Sequence, residues 1–257
     1  MQMSSVAIGA GGSVSSHNPN SSSSSRTLSA PQHTQQLIEH VLHGSVGEGV
    51  ALGLLEERLR GCTDSMDSFF DHEAHYTMAQ FGMGGATIGV RLRRSCLSDQ
   101  MASAYQLRYQ GMNEGARDRS KPTVSRTVIT VALTPPHTGE RERGEGAHKF
   151  LEDMGFKLDF HLVLKGNVFV KDRLRVTVSR VFRVTAGAGA EGEKECEMHM
   201  RATYLDRHLQ PVFPSTLLVE ASCTAPTHLP QDEVGDELKA FVEHLKPLIT
   251  MDKIEHR

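Results

Sequence analysis

Residues 150–175, FLEDMGFKLDFHLVLKGNVFVKDRLR, constrain the fold more than any other stretch of the chain. The segment opens with helical spacing, Phe150, Leu151 and Met154 on one side, and a stop signal at Gly155. The period then changes to two. Phe156, Leu158, Phe160, Leu162 and Leu164 alternate with Lys157, Asp159, His161, Val163 and Lys165, as in a strand with one buried face. Gly166-Asn167 reads as a turn, and a second alternating run covers 174–184. A helix, a long strand and its neighbour within so short a span mark the nucleus of a sheet.

The same periods extend outward. Leu37, Ile38, Val41 and Leu42 fit either a strand or a helix before a break at Gly44-Ser45, where Ser45 is a plausible cap. A helix is expected over about 47–60, with Val50, Leu54, Leu55, Arg58 and Leu59 at helical spacing and Gly61 ending it. Strands are expected over 69–81, 87–96, 104–110, 124–133, 198–204 and 217–225, and a closing helix over about 232–248. That helix carries the stripe Val234, Leu238, Phe241, Leu245 and Leu248, with acidic residues in its first turn to complement the helix dipole. Residues 82–85 read as a loop. Eight or nine strands without a strand-helix-strand rhythm argue against a doubly wound parallel sheet. They favour a mainly β fold, an antiparallel β-barrel or strongly curved sheet with flanking helices.

With 257 residues, the chain is read as a Ser/Gly-rich leader over 1–33, too poor in apolar surface to order, followed by one domain over 34–257. Polar insertions are expected near 135–147 and 186–195. A net charge of -3 offers no general attraction to nucleic acid or to an anionic membrane. Cys62, Cys96, Cys196 and Cys223 have no zinc-ligand spacing and read as reduced, mostly buried thiols. The absence of a signal-peptide core and of any membrane-length apolar run leads to the expectation of a soluble, intracellular protein.

Polar side chains recur on one face of several strands: Glu73 with His75, Arg91 with Arg93, Lys157 and Asp159 with His161 and Lys165, Arg173 with Arg175, Glu220 with Ser222. Pointing inward, they make a charged lumen suited to polyphosphate; pointing outward, they are the solvated face of an ordinary half-buried sheet. A tunnel phosphatase also needs carboxylates to hold a divalent metal, including an early strand with Glu-x-Glu-x-Lys. The comparable positions here are Glu39, Val41 and His43, one acid where two are needed. His40 with His43, and His72 with His75, would pair on a helix but face opposite ways on a strand. The glycines at 82–85 lack the lysine of a P-loop, and no GxSxG occurs. No catalytic residue, metal ligand or cofactor is assigned.

Several stretches, in order, resemble one family: VLHGSV, LLEERLRGC, FFDHEAHY, VRLRRS, QLRYQG, the segment FLEDMGFKLDFHLVLKGNVFVKDRLRV, and LKPLITMDKIE. From about Gln36 onward the chain is similar to subunit eighteen of the Mediator complex. The resemblance implies a barrel related to the tunnel triphosphatases but without catalysis, in the head module of a nuclear transcription coregulator. It also implies a pairing with the similar barrel of subunit twenty, a tether from the C-terminal helix of subunit eight, and contact with RNA polymerase II through the assembled complex. Neither nucleic acid nor membrane is expected as a direct partner. Two other readings stand beside it: an active tunnel-type triphosphate hydrolase or cyclase, and a barrel holding a small apolar ligand, which requires hydrophobic inward positions. For a partner contact the sequence offers Asn167, Val168, Phe169 and Val170, apolar residues near an expected hairpin end. The competing reading tucks Phe169 under the adjoining helix.

Overall fold

In the computed structural model the described residues are 37–79, 87–97, 105–115, 118, 120–133, 145–184 and 209–254. They fall within the compact unit Gln35–Arg257. The leader over 1–33, the loop at 82–85, the insertion at 186–195 and the strand expected at 198–204 lie outside the described residues.

The described elements are β1 Leu37–Gly47, α1 Val50–Cys62, β2 Ser65–Ala79, β3 Thr87–Ser95, β4 Tyr105–Gln110, β5 Val124–Leu133, α2 Glu145–Asp153, β6 Lys157–Lys171, β7 Leu174–Val184, β8 Leu209–Pro211, β9 Thr216–Pro226 and α3 Gln231–Glu243. The strand order is β6-β2-β3-β4-β5-β1-β9-β7-β8, and β6 also pairs with β7. That pairing closes eight antiparallel strands into a barrel, with β8 added along the end of β7. Closure removes the free edges an open sheet of this size would expose. The expected antiparallel barrel with flanking helices is the observed fold.

The apolar core lies outside the barrel wall, under the helices. α1 and α3 cover one side, where Leu42, Leu55, Leu59, Phe169, Val176, Val219, Leu238 and Leu245 pack together. α2 covers another, with Leu151 against Ala74, Tyr76, Leu92 and Tyr105. A smaller cluster joins Phe70, Cys96 and Val163, with Phe182 and Leu209 of β7 and β8 packed on it. α1 buries Leu55 and Leu59, one turn apart, while Val50 and Leu54 of the expected stripe stay exposed. α3 buries Val234, Leu238, Phe241 and Val242, and Asp232 and Glu233 occupy its first turn as expected.

Four local expectations are corrected. β1 runs unbroken through Gly44-Ser45 to Gly47, and Gly49, at φ 88, caps α1 in place of Ser45. α2 begins at Glu145, inside the insertion expected near 135–147. It ends as read at Gly155, whose φ is 92. There the Gly155 N–H donates to Glu152 O and the Phe156 N–H to Leu151 O, a left-handed cap that only glycine adopts without strain.

The third correction is at Gly166-Asn167, which does not turn the chain. β6 continues through it, and the hairpin turns at Asp172 and Arg173, with Asp172 left-handed at φ 50. Gly166 is required for a different reason. The β7 backbone crosses so closely that a Cβ there would strike the Val178 carbonyl and lie 2.7 Å from the Ser179 Cα.

The fourth correction concerns the burial of β6. Leu158 and Phe160 are exposed, Leu162 and Leu164 face the lumen, and Val163, assigned to the polar side, is completely buried under the outer cluster.

Candidate functional site

The barrel encloses a cavity of about 560 Å3 to which all eight strands of the ring contribute. Alternation decides which side chains enter it. On β2, Phe70, His72, Ala74 and Tyr76 pack outward, while Glu73 and His75 line the lumen. On β3, Val90 and Leu92 face out and Arg91 and Arg93 face in. Arg173, Arg175, Glu220 and Ser222 also line the cavity, so these polar faces point inward. The segment 157–165 is the exception: its polar side chains are absent from the lining, and His161 turns outward to stack on His72 at 5.0 Å. A lumen lined by five arginines and three glutamates does not suit an apolar ligand, which overturns that reading.

The carboxylates are occupied by cations. Glu39, 3% exposed, accepts from Arg108 Nη2 at 2.5 Å and from Arg126 Nε and Nη2, both at 2.8 Å. Asp71 accepts from Arg93 Nε at 2.8 Å and Nη2 at 2.5 Å, and Glu73 lies 3.7 Å from Arg93 and 3.5 Å from His75. Glu220 is hydrogen-bonded to His43 Nε2 at 3.2 Å. Burial alone would raise the Glu220 carboxyl. The His43 hydrogen bond, with the charges of His43, Arg126 and Arg91, reverses this and brings it down to about 2. Glu73 is lowered in the same way against its own burial, by His75, Arg93 and Arg91. Among the described residues no group of three or more His, Cys, Asp or Glu is placed to hold a metal ion. Glu39 and His43 both line the cavity from β1, with Val41 between them on the strand. The acid that remains of the Glu-x-Glu-x-Lys pattern is therefore tied to two arginines.

The histidine pairs separate as expected for strands. His40 faces outward and is hydrogen-bonded to Thr123 at 2.9 Å and Gln231 at 3.1 Å, while His43 faces the lumen. His72 Nε2 and His161 Nδ1 share a hydrogen bond at 3.1 Å, and His148 of α2 meets the Tyr76 hydroxyl at 2.5 Å. Burial first, then electrostatic repulsion between protonated forms at His161, His148 and Arg94, pushes His72 down to about 3; burial, His161 and Arg94 push His148 down to about 4.

Phe169 is fully buried in the core beneath α1, which is the competing reading of that residue. Asn167 donates to Glu56 at 2.9 Å and is hydrogen-bonded to Ser68. Val168 and Val170 are half-buried. Sequence reading missed Arg108 and Arg126, the clamp on Glu39. The available signal was their position in alternation, Arg108 between Leu107 and Tyr109 and Arg126 two residues before Val128.

The Med18 protein family model matches residues 89–257. A curated Mediator of RNA polymerase II transcription subunit 18 from Aedes aegypti is 33% identical over 85% of this chain and 85% of its own length. The Xenopus tropicalis protein of the same name is 31% identical over 89% of this chain and 94% of its own. A chain of the Schizosaccharomyces pombe Mediator head module shares the fold, with a TM-score of 0.60 at 12% identity over 84% of this chain and 98% of that one. The match of the family model over residues 89–257 and the identity and extent of the two curated relatives have one consequence: this chain belongs to the Mediator subunit 18 family.

Proposed function

We propose that this chain is a non-catalytic structural subunit of the Mediator head module, acting in the nucleus through protein contacts that help bridge activators and RNA polymerase II. Family membership supports a Mediator subunit role. The non-catalytic part rests on the state of the lumen acids. A tunnel hydrolase needs several carboxylates free to share a divalent cation. Here Glu39, Asp71, Glu73 and Glu220 are each engaged by arginine or histidine.

The proposed partners are the barrel of subunit twenty and the C-terminal helix of subunit eight. With Phe169 closed into the chain's own core, the proposed contact at 167–170 falls to Asn167, Val168 and Val170. Affinity purification of the tagged full-length chain from nuclear extract tests the assignment. Stoichiometric recovery with subunits eight and twenty supports it, and a free chain without either overturns it. Phosphate release from a triphosphate by the same preparation with Mg2+ or Mn2+ would overturn the non-catalytic reading.

A further inference from the structure

The lumen cations outnumber what the lumen acids can neutralise. One carboxylate, Glu39, serves both Arg108 and Arg126, and Arg108 keeps a buried Nε without a partner. Among the described residues Arg91 has no hydrogen bond or ion pair, and it sits directly opposite Arg108 across the β3–β4 ladder, both side chains on the cavity face. Like charges directly opposed on adjacent strands repel; Arg108 shares Glu39 with Arg126, and among the described residues Arg91 has no carboxylate within ion-pair distance. Burial lowers the Arg91 guanidinium, and Arg126 and Arg108 push the same way against Glu73 and Glu220. Arg175 enters the same cavity from β7, also without a hydrogen-bond or ion-pair partner among the described residues, near enough to Arg93 and Arg108 to feel their charge.

We propose that the lumen binds a small multivalent oxyanion of the phosphate type, held by Arg91, Arg108 and Arg175 without a metal ion. Guanidinium forks match phosphate oxygens bidentately, and a cavity of about 560 Å3 admits a short polyphosphate. The anion bridges Arg91 and Arg108 and meets Arg175 from the opposite wall. Because the acids are already engaged, no divalent ion is recruited and the anion is held intact. The proposal stands independently of the Mediator contacts, since it concerns the inner wall alone.

Titration calorimetry of the full-length chain with sodium tripolyphosphate in EDTA is the test. The expected result is one saturable site, weakening with salt, and a higher melting temperature in the anion's presence. The double variant Arg91→Gln/Arg175→Gln should lose about tenfold or more in affinity while keeping its circular dichroism spectrum. Should that variant not fold, Arg175→Gln alone, at an exposed position, should still lose severalfold. ATP run in parallel identifies the source: tighter binding than tripolyphosphate assigns a nucleotide tail, weaker binding a free polyphosphate. No heat at millimolar anion, binding only after Mg2+ or Mn2+ is added, or unchanged affinity in the folded variants would each overturn the proposal.

Discussion

The two sides of the barrel wall solve opposite problems with neighbouring residues. On β2 the outward Ala74 and Tyr76 disappear under α2, while the inward Glu73 and His75 face a cavity. On β1 the outward Leu42 joins the main core, while the inward Glu39 is held by two arginines. The outer wall is stabilised by removing apolar surface from water, which the three described helices accomplish. No described helix covers the inner wall, which is lined by charge that is only partly paired. Position in alternation, and not hydrophobicity along the strand, assigns a residue to one regime or the other. Substitutions on the two sides should therefore fail in different ways.

The largest difference is expected between Phe169 and Leu162 on β6. Phe169 is completely buried on the outer side, so Phe169→Ala should cost roughly 3–5 kcal/mol in chemical denaturation. Leu162 borders an existing cavity, and Leu162→Ala should cost about 1 kcal/mol, since its truncation only widens space already open. Equal losses at the two sites would break the comparison. Next comes Glu39→Gln. It leaves Arg108 and Arg126 facing each other without their shared carboxylate, a loss of roughly 3 kcal/mol by the same measurement. Adding Arg126→Met should restore part of it, because the second change removes one of the stranded charges.

Acid should separate the walls by pH. His72 and His148, on the outer side, have folded pKa values of about 3 and about 4, below the ordinary 6.5. The unfolded chain therefore takes up the protons first. Stability is complete above about pH 6.5 and falls as the pH drops below it, by roughly 2 kcal/mol for His72 at pH 5. Glu220, on the inner side, sits at about 2 against an ordinary 4.5, so its contribution is lost only as pH falls below that value. Melting temperature against pH should thus decline in two stages. His72→Phe should remove the first more than the second, and a flat profile between pH 7 and 5 would show that the outer histidines are not buried neutral.

Most of the architecture is legible in the sequence because alternation is a local property. β3, β5, β7 and β9 fall within a residue or two of their expected bounds. What alternation does not reveal is which face looks inward. The run from Phe156 to Leu164 suggested a buried apolar side, yet Phe160 is exposed and Val163 is covered, because barrel closure and the positions of the helices are long-range facts. Gly166 shows the same limit. A glycine before an asparagine has the local chemistry of a turn, and only the neighbouring strand reveals that the missing Cβ makes room for a backbone crossing. The Glu39 clamp joins residues 69 and 87 positions apart, so no spacing within one segment marks it.

The smallest expected effect is also the most direct probe of the inner wall. Arg91 faces Arg108 across the β3–β4 ladder with no carboxylate of its own. Glu73 and Glu220 attract Arg91, but burial together with Arg126 and Arg108 outweighs them and lowers its guanidinium, so removing the charge should stabilise the chain. Arg91→Gln keeps the bulk of the side chain and removes the repulsion, and is expected to gain about 0.5–1 kcal/mol without added anion, a rise of roughly 1–4 °C in melting temperature. Salt should shrink the gain by screening the repulsion in the parent chain. The matched change on the outer wall, Arg94→Gln, should go the other way, because Arg94 Nη1 donates to the Tyr105 hydroxyl at 3.2 Å and its guanidinium lies over that ring. A loss of stability in Arg91→Gln would mean that the attraction of Glu73 and Glu220 outweighs burial and the repulsion of Arg108 and Arg126, and the division between a covered outer wall and a charge-strained inner one would fail at that residue.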